Sequence, residues 1–127
     1  MDALARQIRR ATEPDNHDLI ECWLGQEPCR HLKNACGRCE CCPVQRQRHH
    51  YETQFRLLLD TALDELLPSC WREACLNQIY RPLFQLKRLA GNEREQLHVQ
   101  ALQRELTITT RIFLPTFYGY QSECDTT

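Results

Sequence analysis

The sequence predicts a mainly α-helical protein: a small bundle with an inserted zinc-stabilised loop and a C-terminal β-like segment. Three observations carry that expectation. Apolar residues recur at helical spacing through most of the 127-residue chain. That period vanishes between Gln26 and Cys42, where five cysteines fall among Gly, Pro and Asn. A β-branched run then begins at Thr107.

Taken in order, Leu4, Ile8 and Ala11 share one face of a first helix, with Arg6, Arg9 and Arg10 on its wet side. Glu13-Pro14 breaks it. Asp15 has the chemistry of an N-cap for a second short helix that buries Leu19, Ile20, Trp23 and Leu24. Gly25 then offers a left-handed stop. Pro43 suits the first turn of a long amphipathic helix to Leu67, whose inward stripe runs from Val44 and Tyr51 through Phe55, Leu58, Leu59, Ala62, Leu63, Leu66 and Leu67. Trp71, Cys75, Ile79, Leu83 and Leu86 continue the helical period to Gly91, and Pro82 should split that stretch near Tyr80. Asn92 and Glu95 form a capping-box pattern opening a last helix to about Leu106, with Leu97, Ala101 and Leu102 inward. Thr107 to Leu114 alternates enough to read as a strand. The expected organisation is one helical domain over residues 1–120, carrying a cysteine- and histidine-rich insertion at 25–50, and a loose tail at 121–127.

Hydrophobic residues are 42% and charged residues 26% of the chain, ordinary globular usage that argues against wholesale disorder. Apolar runs such as Leu57–Leu59 fall far short of the ~18 residues of a membrane span. The opening MDALARQIRR lacks a signal peptide's apolar core. The expected setting is therefore intracellular and reducing, where nine cysteines are metal ligands or thiols and not a disulfide framework.

The cysteine cluster gives the strongest chemical signal. Cys29, His31, Cys36, Cys39, Cys41, Cys42, His49 and His50 are all soft or borderline ligands close together in sequence. Cys36-Gly-Arg-Cys39 is a CxxC, the spacing that sets two thiolates on one zinc ion. Two further ligands come from Cys29 or His31 on one side and Cys42 or His49 on the other. Such a polar loop cannot offset ~1–2 kcal/mol of backbone entropy per ordered residue by packing. Zinc supplies an apparent ~10–16 kcal/mol in small zinc domains. Saturation by four protein ligands makes the site structural, with Glu40 alone available as a base. The competing cofactor is an iron–sulfur cluster, since Cys36, Cys39 and Cys42 repeat as C-x2-C-x2-C before Pro43; the further cysteine of the ferredoxin run is replaced by Arg46.

No Gly-rich phosphate loop, G-x-S-x-G or H-E-x-x-H motif is present, so the sequence does not suggest an enzyme. The expected function is that of a regulatory or adaptor protein engaging a protein partner or a second copy of itself, the strand at 107–114 needing a pairing edge. Small cysteine-rich chains with short helical bodies are frequent among viral accessory proteins, a compositional analogy. Nucleic-acid binding is the alternative, through Arg30, Lys33, Arg38, Arg46 and Arg48 beside the cysteines. Leu66, Cys70 and Ala74 also have the spacing of a short helical adaptor box, set against a plain core-packing role, with Pro68 interrupting it. Cys22, Cys70 and Cys75 read as buried core thiols. Cys124 lies in the tail, and His17 and His98 read as surface histidines.

Overall fold

The computed structural model describes residues 3–26 and 44–119, with side chains described through Arg111. The described residues form six helices and no strand: α1 (Ala3–Arg10), α2 (Asp18–Leu24), α3 (Val44–Leu63), α4 (Ser69–Gln78), α5 (Tyr80–Leu89) and α6 (Glu93–Gly119). The helix α3 is the axis of the bundle. It packs against α4 and α5, and α1 lies on it as well. Phe55, Leu58 and Leu59 of α3 meet Trp71, Cys75, Ile79, Leu83 and Leu86 in a common core that excludes water almost completely. Each of these large side chains contributes about 1.5–3 kcal/mol on burial.

The helix α1 ends in a left-handed residue that is not glycine. Ala11 has φ of 50°. The Ala11 N–H donates to the Ile8 carbonyl at 3.2 Å, and the Thr12 N–H reaches back to Gln7 at 3.1 Å. These two bonds make a Schellman ending and satisfy carbonyls that the helix leaves open. Gly25, expected to be the left-handed stop, instead has φ of −77° and continues the right-handed turn, its N–H bonded to the Glu21 carbonyl. Asp15 is not the cap of α2 either. The helix starts at Asp18 behind His17, which makes no side-chain cap bond. Asp18 and Glu21 in the first turn place negative charge at the positive end of the helix instead.

Two expectations at helix ends hold. Pro82 lacks an N–H, so the carbonyl of Gln78 loses its i+4 donor, and the long helix divides into α4 and α5 at Ile79. Asn92 Oδ1 accepts the Glu95 N–H at 2.9 Å, while Glu95 Oε1 accepts the Gly91 N–H at 2.8 Å, a capping box shifted by one residue. The helix α3, however, stops at Leu63, short of the expected Leu67. Asp64 turns the chain there by accepting the Leu66 N–H at 3.0 Å, which leaves Leu63 and Leu66 outside the core.

The expected strand is a helix. Residues 107–114 lie within α6, which is continuous from Glu93 to Gly119. The hydroxyls of Thr107, Thr109 and Thr110 donate to the carbonyls four residues back, those of Gln103, Glu105 and Leu106, at 3.0, 2.9 and 2.6 Å. β-branching therefore brings a satisfied polar group along with its rotamer restriction. Tertiary packing decides the rest: Val99, Leu102, Leu106 and Thr109 form one buried row. Leu97 and Ala101, expected inward, face outward. With no strand at 107–114 there is no open edge to pair, and the expected β-mediated association loses its basis. The expected loose tail at 121–127 lies outside the described residues.

Candidate metal-binding segment and its helical frame

Cys29, His31, Cys36, Cys39, Cys41 and Cys42 lie outside the described residues, as do Arg30, Lys33 and Arg38. The frame that carries them is described on both sides. The segment departs at Gln26, just after α2, and returns at Val44, the first residue of α3. Nε2 of His50 sits 3.2 Å from the Gln26 carbonyl oxygen. One turn further on, Nε2 of Gln54 donates to the Trp23 carbonyl at 3.4 Å from a buried position. Both contacts come from one face of α3, because residues four apart share a face. Six residues separate Val44 from His50, about 9 Å of helix. Gln26, where the segment departs, is thus held less than two turns along α3 from Val44, where it returns.

That contact fixes chemistry as well as position. A carbonyl oxygen only accepts, so in this contact Nε2 of His50 is the donor and Nδ1 is the nitrogen that keeps a lone pair. His49 is one residue, or about 100°, around the helix. Its side chain is exposed and lines a groove of about 410 Å³ with Arg9, Glu52, Arg56 and Asp60. Among the described residues no three His, Cys, Asp or Glu side chains come together as a metal cage. Of the expected ligands, His49 is the one that the described part of the chain contributes.

The basic residues divide in a way the sequence did not announce. Arg46 is exposed on the first turn of α3, whereas Arg48 pairs with Glu95 at the start of α6. Beside that pair, Nε2 of His98 lies 2.9 Å from Glu52 Oε1. His98, a plain surface residue in sequence, ties α6 to α3. The two contacts flank a groove of about 420 Å³ with Leu86 and Val99 at its apolar side and Gln45, Asn92 and Arg94 among its polar groups. Charged residues at i, i+4 on α3 and i, i+3 on α6 are visible in sequence as periodic charge, but their pairing across helices is not.

The other cysteines also separate. Cys75 is fully buried, and burial pushes its thiol up to about 12. Cys70 is half-buried. Cys22 is exposed and does not belong to the core, contrary to the expectation for it. Leu66 precedes α4 and is exposed, while Ala74 packs against the core, so Leu66, Cys70 and Ala74 do not form one helical ridge. His17 is less plain than its sequence context suggests, its ring standing 5.7 Å from that of Trp71.

Compared with protein-family models, curated proteins and solved structures, the chain matches none. Among the described residues no helix is long and apolar enough to cross a membrane.

Proposed function

We propose that this chain is a non-catalytic adaptor of an intracellular, reducing compartment, in which a structural zinc ion folds the segment between Gln26 and Val44 into a protein-recognition loop. Cys36 and Cys39 hold the ion with two of Cys29, His31, Cys42 and His49. The observation that carries this reading is the pinned root of the segment. His50 and Gln54 fasten the end of α2 onto α3, so a segment whose one large apolar residue is Leu32 leaves and rejoins a packed scaffold. A metal supplies the folding free energy that the loop's own side chains cannot. Four protein ligands leave no open position for an activated water.

Cross-linking of the metal-loaded chain to its bound partner tests this. Cys36→Ser and Cys39→Ser should abolish the cross-link while far-ultraviolet circular dichroism stays helical. A cross-link that survives both substitutions would place recognition elsewhere.

Nucleic-acid binding is the second reading, favoured by one observation. Arg94 lines the same groove as Gln45 and Arg48, adding a base beside the point where the segment returns. On that reading retention on an oligonucleotide column falls steeply between about 50 and 200 mM salt. Replacing Arg38, Arg46 and Arg48 then removes binding without unfolding the bundle.

A further inference from the structure

Two exposed apolar patches of opposite charge stand apart on the bundle. The first is on α5. Tyr80 is 54% and Phe84 63% exposed. These aromatic rings are one helical turn apart, and Lys87 and Arg88 follow on the same face. The helix reads YRPLFQLKRL: three bases and no acid. Arg81 reaches Glu21 of α2 at 3.5 Å, a long contact between two well exposed groups that leaves the helix strongly basic.

The second patch is the turn between α3 and α4. Leu66 is 93% exposed, more than any other large apolar side chain described, and Leu63 is exposed beside it. The stretch from Asp60 to Leu67 reads DTALDELL: three acids and no base. Asp64 is engaged by Arg9 at 2.7 Å, whereas Asp60 and Glu65 are exposed. A fully exposed leucine at the tip of a turn is a knob. Two exposed aromatic rings a turn apart on a basic helix offer an apolar face of opposite charge.

Within one chain the two cannot meet. The ten-residue α4 lies between them, about 15 Å of helix, and both are exposed. We propose that the occupant of the α5 face is a second copy of this chain, whose Leu66 turn seats between Tyr80 and Phe84 with Glu65 against Lys87 and Arg88. The contact joins two different surfaces of the same molecule. It closes as a reciprocal pair or runs head to tail. Its apolar centre holds it together, and its charged rim sets partner choice and salt dependence.

Sedimentation velocity on the full, metal-loaded chain tests the contact, over about 5 to 500 micromolar protein. The wild-type chain associates with rising concentration, and more weakly as salt rises. Leu66→Asp and Phe84→Asp each raise the dissociation constant by about tenfold or more, and both leave the melting temperature unchanged because both positions are exposed. An equimolar mixture of these two variants recovers a dimer and nothing larger, since only one intact knob and one intact face remain. Glu65→Lys weakens association, and combining it with Lys87→Glu and Arg88→Glu restores it. A wild-type chain that stays monomeric throughout overturns the proposal. So does association that survives Leu66→Asp or Phe84→Asp, or a mixture that fails to recover the dimer.

Discussion

The indole Nε1 of Trp71 donates to the backbone carbonyl of Ile8 at 2.9 Å, across 63 residues of sequence, with both side chains fully buried. One bond therefore ties the short α1 to the centre of the bundle. An eight-residue helix is too short to hold together alone in water, so α1 exists by virtue of this docking. Trp71→Phe removes the donor and part of the volume, and should cost about 1–3 kcal/mol in a denaturant titration. It should also release α1 in hydrogen exchange before the rest of the bundle.

Acid should loosen the same end of α1, where Arg9 follows Ile8. The Arg9 guanidinium bonded to Asp64, and then the Leu66 N–H, hold the Asp64 carboxyl below its ordinary value of 3.8. A carboxylate whose value is lowered on folding stabilises the fold fully above 3.8, and that contribution is lost as pH falls through the lower folded value. Asp64→Asn should flatten the decline in stability below 3.8 and leave stability near neutral pH lower than wild type. Thermal melts across that range measure both effects.

Buried and exposed thiols should differ in reactivity. The thiolate is the nucleophile, and Cys75 is held protonated by burial. Iodoacetamide on the folded chain should modify Cys22 readily and Cys75 only on unfolding, read by peptide mass spectrometry. The raised value also means that Cys75 stabilises the fold below 9.0 and ceases to do so as pH rises towards 12.

The C-terminal helix invites a sign test. Thr107 is exposed on α6, and Ala has the higher helix propensity by roughly 0.5 kcal/mol or more. Thr107→Ala should raise the melting temperature. In a strand the same change removes a favoured β-branched residue and lowers it.

Residues with a periodic burial requirement were the legible part of this fold. The stripes through Phe55 to Ala62 and Trp71 to Leu86 predict α3, α4 and α5, and Pro82 predicts the break between the last two. Thr107 to Leu114 is helical despite its β-branched pattern, because threonine hydroxyls bond back to the helix and Leu102 and Leu106 commit α6 to the core. Leu97 lies on the opposite side of α6 from the buried row of Val99, Leu102 and Leu106, and a single apolar side chain on a helix's outer face is ordinary. At the candidate site, spacing gives an expectation for Cys36 and Cys39, and both lie outside the described residues. The root of the segment was not legible, because the bond from His50 to Gln26 joins a side chain to a backbone carbonyl, and no sequence pattern encodes that.

The zinc content of the purified chain, together with the X-ray absorption spectrum at the zinc edge, tests the central claim most directly. About one zinc per chain is expected, with four sulfur and nitrogen ligands, sulfur near 2.3 Å, and loss of the ion on Cys36→Ser or Cys39→Ser but not on Cys124→Ser. Iron with visible-range absorbance in place of zinc, or a chain that holds no metal and keeps its stability in chelator, would contradict it.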